Sequence, residues 1–181
     1  MKFLIILSLM ICSLKAETDS CSEYKPAKNI NECFSKKTYK HHACCGLHIS
    51  TPYNDYMRCM MVGNTNAEKN YLKQNYELAS QQSGGKYDFQ CPAGDEEIKG
   101  TCEEFKGIGV DDPKKCTKLK VKYTKDRRTC CGLTMKYRQD SSDIPLYSCV
   151  DFSINKKQRE ASIAEMNNDP RGSTYISDCT C

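Results

Sequence analysis

One cysteine pattern occurs twice in this chain, and each occurrence is centred on the tetrapeptide Cys-Cys-Gly-Leu. Because the order of cysteines around the adjacent pair is also repeated, the pattern predicts two copies of one small domain. Such a framework indicates disulfide bonds formed in an oxidising compartment. The first set is Cys21, Cys33, Cys44, Cys45, Cys59 and Cys91, and the second set is Cys102, Cys116, Cys130, Cys131, Cys149 and Cys179.

Residues 1–16 have the pattern of a secretory signal peptide. A positive Lys2 precedes an apolar run over 3–14, and Lys15 and the small residue Ala16 follow it. Since a bilayer span needs about 20 apolar residues, this run is too short to cross one. Cleavage after Ala16 leaves 165 residues, 13 of the 14 cysteines, and 25 basic against 23 acidic residues. We therefore expect a secreted protein, extracellular or in secretory granules, with no membrane span and no nucleic-acid partner.

The correspondence between the two copies extends beyond cysteine. The segment that begins at Cys21 reads Cys-Ser-Glu-Tyr-Lys, and the one that begins at Cys102 reads Cys-Glu-Glu-Phe-Lys. The resulting organisation is a disulfide-rich repeat over 17–91, a linker over 92–101 and a second repeat over 102–181. Each repeat has about 80 residues, a size at which a hydrophobic core alone is marginal and disulfides supply stability.

The apolar periodicity predicts an α+β fold with the element order β-β-β-α-β in each repeat, an antiparallel sheet with one helix packed on it. A hairpin follows each Cys-Cys-Gly-Leu, and helices are expected over 67–80 and 155–167. Last strands are expected over 86–90 and 174–178. The first strands are placed at 37–40 and 118–123. Adjacent cysteines on a strand point to opposite faces, so one should bond on the helix side and the other to the N-terminal segment. Six cysteines allow 15 pairings, and the sequence does not choose among them.

Two sets of six leave Cys181 over in the mature chain. An odd cysteine in a secreted protein commonly bonds to another chain, which suggests a covalent homodimer or a crosslink in a larger assembly. The alternatives are that Cys181 replaces Cys179 in the fold, or that it stays free or capped.

The densest positive charge lies between residues 114 and 128, where eight basic residues face one acidic residue, Asp126. On the expected strand, Lys118, Lys120 and Lys122 would share one face, with Arg127 and Arg128 nearby. Such a stripe could bind an anionic polysaccharide. The alternative, which we favour, is that the lysines protect a sheet edge from pairing with another chain.

Catalytic and metal-binding patterns are missing from the sequence. No Gly-x-Ser-x-Gly, His-Glu-x-x-His or phosphate-binding glycine loop occurs. The three histidines, His41, His42 and His48, all lie in the first repeat, so a chemistry shared by both repeats cannot use them. We therefore expect no enzyme activity, no catalytic residues, no cofactor and no metal.

The function predicted from the sequence is that of a structural or interaction protein. It would act at a cell surface, in an extracellular matrix or in a granule, through contacts with other proteins or with copies of itself. A secreted effector, such as a protease inhibitor, a toxin or a pheromone-like ligand, is the first alternative, and the loops over 52–56 and 139–145 would then carry the activity. Binding of a polyanion by the basic stripe is the second alternative.

Overall fold

The computed structural model describes residues 20–21, 26–122, 127–135 and 145–168. It is a mixed α/β structure with two small antiparallel sheets of three strands each. We call residues 20–91 the first unit, 92–100 the connecting segment and 101–168 the second unit, in each case for the described residues. The signal peptide and the last strand over 174–178 that the sequence predicts lie outside them.

The first unit is built around a hairpin. Strands β1 (His42–Ser50) and β2 (Asp55–Gly63) pair antiparallel, and helix α2 (Asn66–Ser83) and strand β3 (Lys86–Gln90) follow. Strand β1 lies in the middle of the sheet order β2-β1-β3. A short helix α1 (Asn31–Phe34) packs on the sheet. The predicted hairpin, helix and last strand of this unit are confirmed.

The second unit repeats the hairpin in the same register. Strands β5 (Arg128–Met135) and β6 (Leu146–Ser153) are followed by helix α4 (Lys156–Asn167). Gly132 pairs with Cys149 just as Gly46 pairs with Cys59 in the first unit. Strand β4 (Gly109–Val110) adds to the other side of β6, which gives the sheet order β4-β6-β5. The predicted helix over 155–167 is confirmed to within one residue.

The predicted first strands are wrong. The chain forms helix α3 (Pro113–Thr117) before Lys118, where Asp112 caps the helix and Pro113 occupies its first turn. Beyond it, Lys120 makes only an isolated parallel bridge to Thr101. Leu119 is buried in the core, so the alternation of apolar and polar residues after Lys118 reflects a short segment beside the core and not a strand of the sheet. In the first unit, residues 37–40 likewise hold no more than the bridge from Lys37 to Ser20.

Ten cysteines form five disulfides within the described residues, and the predicted richness in disulfides is confirmed. In the first unit the bonds join the first cysteine to the third, the second to the fifth and the fourth to the sixth. In the second unit the first two of these pairings recur. The bonds are Cys21–Cys44, Cys33–Cys59 and Cys45–Cys91, followed by Cys102–Cys130 and Cys116–Cys149. Cys179 and Cys181 lie outside the described residues.

The adjacent cysteines point to opposite faces of β1, as predicted. Cys44 bonds to the N-terminal Cys21, and the neighbouring Cys45 bonds to Cys91 and packs in the cluster beneath α2. The glycine that follows each pair lets a short helix approach the hairpin. A Cβ atom built on Gly132 would lie 2.4 Å from the Cα atom of Pro113, and one on Gly46 would lie 2.6 Å from Ile30 Cγ2. Any larger residue there would push the helix away.

Candidate interaction site

The beginning of α2 binds the edge of the second unit. Thr65 caps this helix, since its hydroxyl oxygen accepts a hydrogen bond from the Glu68 amide. The same hydroxyl donates to the Gly109 carbonyl, and Glu68 Oε2 accepts from the Gly109 amide at 2.7 Å. The amide and the carbonyl of Gly109 both point away from β6, and both are therefore bonded to the first turn of α2 in the first unit. We call this arrangement the inter-unit contact.

Glu68 also holds the turn from which its helix starts. Its second carboxylate oxygen accepts from the Gly63 amide at 2.9 Å. Thr65 is buried, so the bonds it makes at the inter-unit contact are shielded from water. Hydrogen bonds to a charged group contribute about 1.5–3 kcal/mol each. The sequence Thr-Asn-Ala-Glu over 65–68 has the spacing of a capping box, so the helix start was predictable, but its role between units was not.

A second pair of contacts joins the units beside this one. The His41 ring lies 4.5 Å from the ring of the buried Phe105, measured between centroids. Lys40 Nζ lies 2.6 Å from Glu104 Oε1. The hydrogen bond from Lys40, together with one from the Thr101 amide, lowers the pKa of Glu104 to about 2. The carboxylate therefore keeps its charge, and the pair its attraction, until the pH falls from the ordinary carboxyl range toward 2.

The first four residues of the connecting segment, 92–95, are bonded to the first unit. The ammonium group of Lys69, a buried residue on α2, donates to the carbonyl oxygens of Pro92 and Ala93 at 2.8 and 3.2 Å and to Asn64 Oδ1 at 2.6 Å. Burial lowers the pKa of Lys69, while nearby Asp95 and Glu68 raise it in part. Asp95 donates its amide to the Asn64 carbonyl at 2.7 Å. These bonds fix where the chain enters the second unit.

The end of the β5–β6 hairpin and the start of α4 have the same local geometry as the end of the β1–β2 hairpin and the start of α2. Among the described residues, however, no strand edge is bonded to the start of α4. Arg127 has φ +45° and its carbonyl accepts from the Ile154 amide, as His41, with φ +59°, accepts from the Asn64 amide. Asn155 caps α4, and Gln158 stands three residues later, the spacing of Thr65 and Glu68. Asn155, Gln158 and Ile154 are all exposed, Ile154 to 50%.

A hydrogen-bonded loop at the tip of the first hairpin exposes an aromatic side chain. Thr51 Oγ1 accepts from the amides of Tyr53 and Asn54, at 3.3 and 3.0 Å, and the Thr51 amide donates to the Asn54 carbonyl. At the base of the loop His48 Nε2 lies 2.7 Å from Asp55 Oδ1. Tyr53 is 93% exposed. This loop overlaps the predicted segment 52–56, whose last two residues, Asp55 and Tyr56, belong to β2. Of the predicted segment 139–145, only Pro145 is described.

The predicted basic residues lie at the surface, but Lys118, Lys120 and Lys122 do not share the face of a strand. Lys118 and Lys120 line a shallow depression of about 320 Å³ together with Lys99 and Lys115, but Glu96 and Glu97 line it too. Lys122 and Arg127 are exposed. The remaining member, Arg128, pairs with Asp151, its Nε lying 2.6 Å from Oδ2. The acids beside the depression offset much of its positive field.

Among the described residues, no three His, Cys, Asp or Glu side chains are grouped so as to hold a metal ion. No helix in that part of the chain combines the length and apolar character needed to cross a membrane. Comparisons with protein-family models, with curated proteins and with solved structures find no match to this chain.

Proposed function

We propose that this chain is a secreted, non-enzymatic structural or interaction protein made of two homologous disulfide-rich domains. It would act at a cell surface, in an extracellular matrix or in a granule by binding other proteins. The observation that carries the proposal is the exposed Tyr53 on a hydrogen-bonded loop of a disulfide-linked scaffold. Rigid scaffolds that present an aromatic side chain are suited to protein binding, since little conformational entropy is lost on contact.

The homology of the two domains leads to a prediction about the remaining cysteines. In the repeated order of cysteines along the sequence, Cys131 corresponds to Cys45 and Cys179 to Cys91, so we expect Cys131 to bond to Cys179 in the mature protein. Cys181 would then be the cysteine left for a bond between chains. Peptide mapping by mass spectrometry of the secreted protein, without reduction, checks this pairing together with a mature N-terminus at Glu17. Recovery of a peptide that joins Cys131 to Cys181 would contradict it.

Replacing Tyr53 by alanine should weaken binding to the protein partner. We expect the affinity of the labelled mature protein for the matrix and surface fraction of the cells that secrete it to fall about tenfold or more, the size of a central aromatic contact. Saturation binding measures this. Tyr39→Ala is the matched control, because Tyr39 is 73% exposed but lies outside the loop. Equal binding by both variants and the unmodified protein would contradict the role of the loop.

The same loop favours a second candidate, a secreted effector that inhibits a protease. Inhibitory loops are exposed and held in one conformation before binding, and the hydrogen bonds of Thr51 hold this loop in that way. Inhibition of a panel of secreted proteases by monomeric protein, lost in the Tyr53→Ala variant, would favour the effector over the structural protein.

A further inference from the structure

The inter-unit contact has an uncovered counterpart at the end of the second unit. In the first unit, the capping residue and the residue three places later bind the edge of the next unit. In the second unit the corresponding residues are Asn155 and Gln158, and both are exposed. Ile154, exposed to 50%, precedes them and adds an apolar contact surface. We call Ile154, Asn155 and Gln158 the distal face.

The start of the first unit has an exposed backbone edge at Pro26, which corresponds to the Gly109 edge of the inter-unit contact. Pro26 bridges Arg58 and the Ala27 amide donates to the Met57 carbonyl at 2.8 Å. Arg58 and Ser148 are equivalent, because each directly precedes the cysteine that pairs with the glycine of Cys-Cys-Gly-Leu. Pro26 pairs with Arg58 and Gly109 pairs with Ser148, so Pro26 and Gly109 hold equivalent positions beside the two hairpins. By the alternation of an antiparallel pair, its carbonyl points away from β2, as the Gly109 carbonyl points away from β6. Pro26 is exposed.

Compared with the inter-unit contact, the Pro26 edge lacks a hydrogen-bond donor and the distal face lacks a charged acceptor, so the two differences match. Gly109 offers a donor and an acceptor, and Glu68 and Thr65 supply an acceptor and a donor. Pro26 has no amide hydrogen, so its edge offers only the carbonyl acceptor. At the distal face a neutral glutamine replaces the carboxylate.

The oxygen atoms of the distal face are already in use. Gln158 Oε1 accepts from Ser153 Oγ at 2.7 Å, and Asn155 Oδ1 accepts from the amides of Lys157 and Gln158. Asn155 Oδ1 thus has both lone pairs in use and Gln158 Oε1 has one in use, whereas the two side-chain amide nitrogens are donors with no partner among the described residues. A face that offers donors therefore meets an edge that offers an acceptor.

We propose that copies of this chain associate head to tail, with the distal face of one copy on the Pro26 edge of the next. The inference rests on the proposed function and names a second copy of the chain as the partner. Because face and edge are different surfaces at the two ends of the chain, each contact leaves one of each kind uncovered. Contacts of this type build rings or linear filaments and not only dimers.

Sedimentation velocity on the mature protein with Cys181→Ser tests the proposal, since this substitution removes the odd cysteine as a source of crosslinks. We expect the weight-average mass to rise with concentration beyond that of a dimer. Gln158→Glu should lower the association constant about tenfold or more, because Gln158 corresponds to Glu68 and its carboxylate would face the proline nitrogen, which has no hydrogen to donate. Gln82→Glu, which makes the same change at an exposed position of α2, is the control and should have little effect.

A compensating substitution separates a specific contact from a general effect of charge. Pro26→Ala restores an amide hydrogen on the edge, so the mixture of that variant with the Gln158→Glu variant should recover much of the lost association, by analogy with Glu68 and Gly109. A monomer at all concentrations, an equal effect of Gln158→Glu and Gln82→Glu, or no recovery by Pro26→Ala would each overturn the proposal. These outcomes leave the Tyr53 binding measurement unaffected, so failure of the head-to-tail contact is distinguishable from failure of the proposed function.

Discussion

Replacing Cys116 and Cys149 together by alanine should destabilise the second unit by about 4 kcal/mol or more and leave the stability of the first unit nearly unchanged. This disulfide closes a loop with a sequence separation of 33 residues, for which the loss of freedom in the unfolded chain amounts to about 4 kcal/mol. Both cysteines are completely buried and belong to the core cluster with Phe105 and Ile108. Their removal also takes sulfur atoms out of a closely packed core, which adds to the cost. A small domain has a total stability of about 5–15 kcal/mol, so the loss is a large share of it.

The measurement is denaturant unfolding followed by NMR, with amide signals assigned to each unit. The matched control is the double substitution of Cys21 and Cys44, which removes a first-to-third disulfide of the first unit and should destabilise that unit instead. If the variant without Cys116 and Cys149 unfolds in one transition, at the denaturant concentration of the unmodified protein, the disulfide does not stabilise the second unit in this way.

Replacing Glu68 by alanine should separate the two units. The substitution leaves the amides of Gly63 and Gly109 without their charged acceptor, and each such bond contributes about 1.5–3 kcal/mol. We expect the free energy of unfolding to fall by about 3 kcal/mol or more and the orientation of the units to become variable. The pair of Lys40 with Glu104 compensates little, because Lys40 is exposed and water screens an ion pair at the surface.

Residual dipolar couplings, measured for amides of β1 and β6, report the orientation, and denaturant unfolding reports the stability. Glu77→Ala, at an exposed position of the same helix, removes the same charge without touching the second unit and should change neither quantity by much. Couplings that fit one fixed orientation in the Glu68→Ala variant, with unchanged stability, would show that other contacts hold the units together.

The strongly periodic elements of the fold were predictable from local sequence. The helix over 66–83 carries its capping threonine before it and a glycine with φ +66° after it, signals that depend on neighbouring residues alone. The opposite directions of Cys44 and Cys45 follow from the alternation of a strand. Helices α1 and α3 have four and five residues, too few to show an apolar period, although Asp112 and Pro113 are a local start signal for α3.

The candidate site was predictable only in part. An exposed loop with tyrosine was expected over 52–56, since polar turn residues separate two apolar runs. Nothing in the sequence indicated that Glu68 bonds to Gly109, 41 residues away. Both residues have adequate local explanations, one as part of a capping box and the other as a flexible position, and their contact depends on how two separately formed hairpins meet.

The sequence by itself determined into which two groups the ten bonded cysteines fall, where the hairpins and long helices lie, and that Cys44 and Cys45 divide between two faces. These features depend on residues close along the chain or on exact repetition. Only the tertiary structure decided the pairing of the described cysteines, the helical form of the segments before each hairpin and the bonding of the connecting segment. The reason is that each of these depends on distances between atoms far apart in sequence, and packing in the separate hydrophobic clusters of the two units sets those distances.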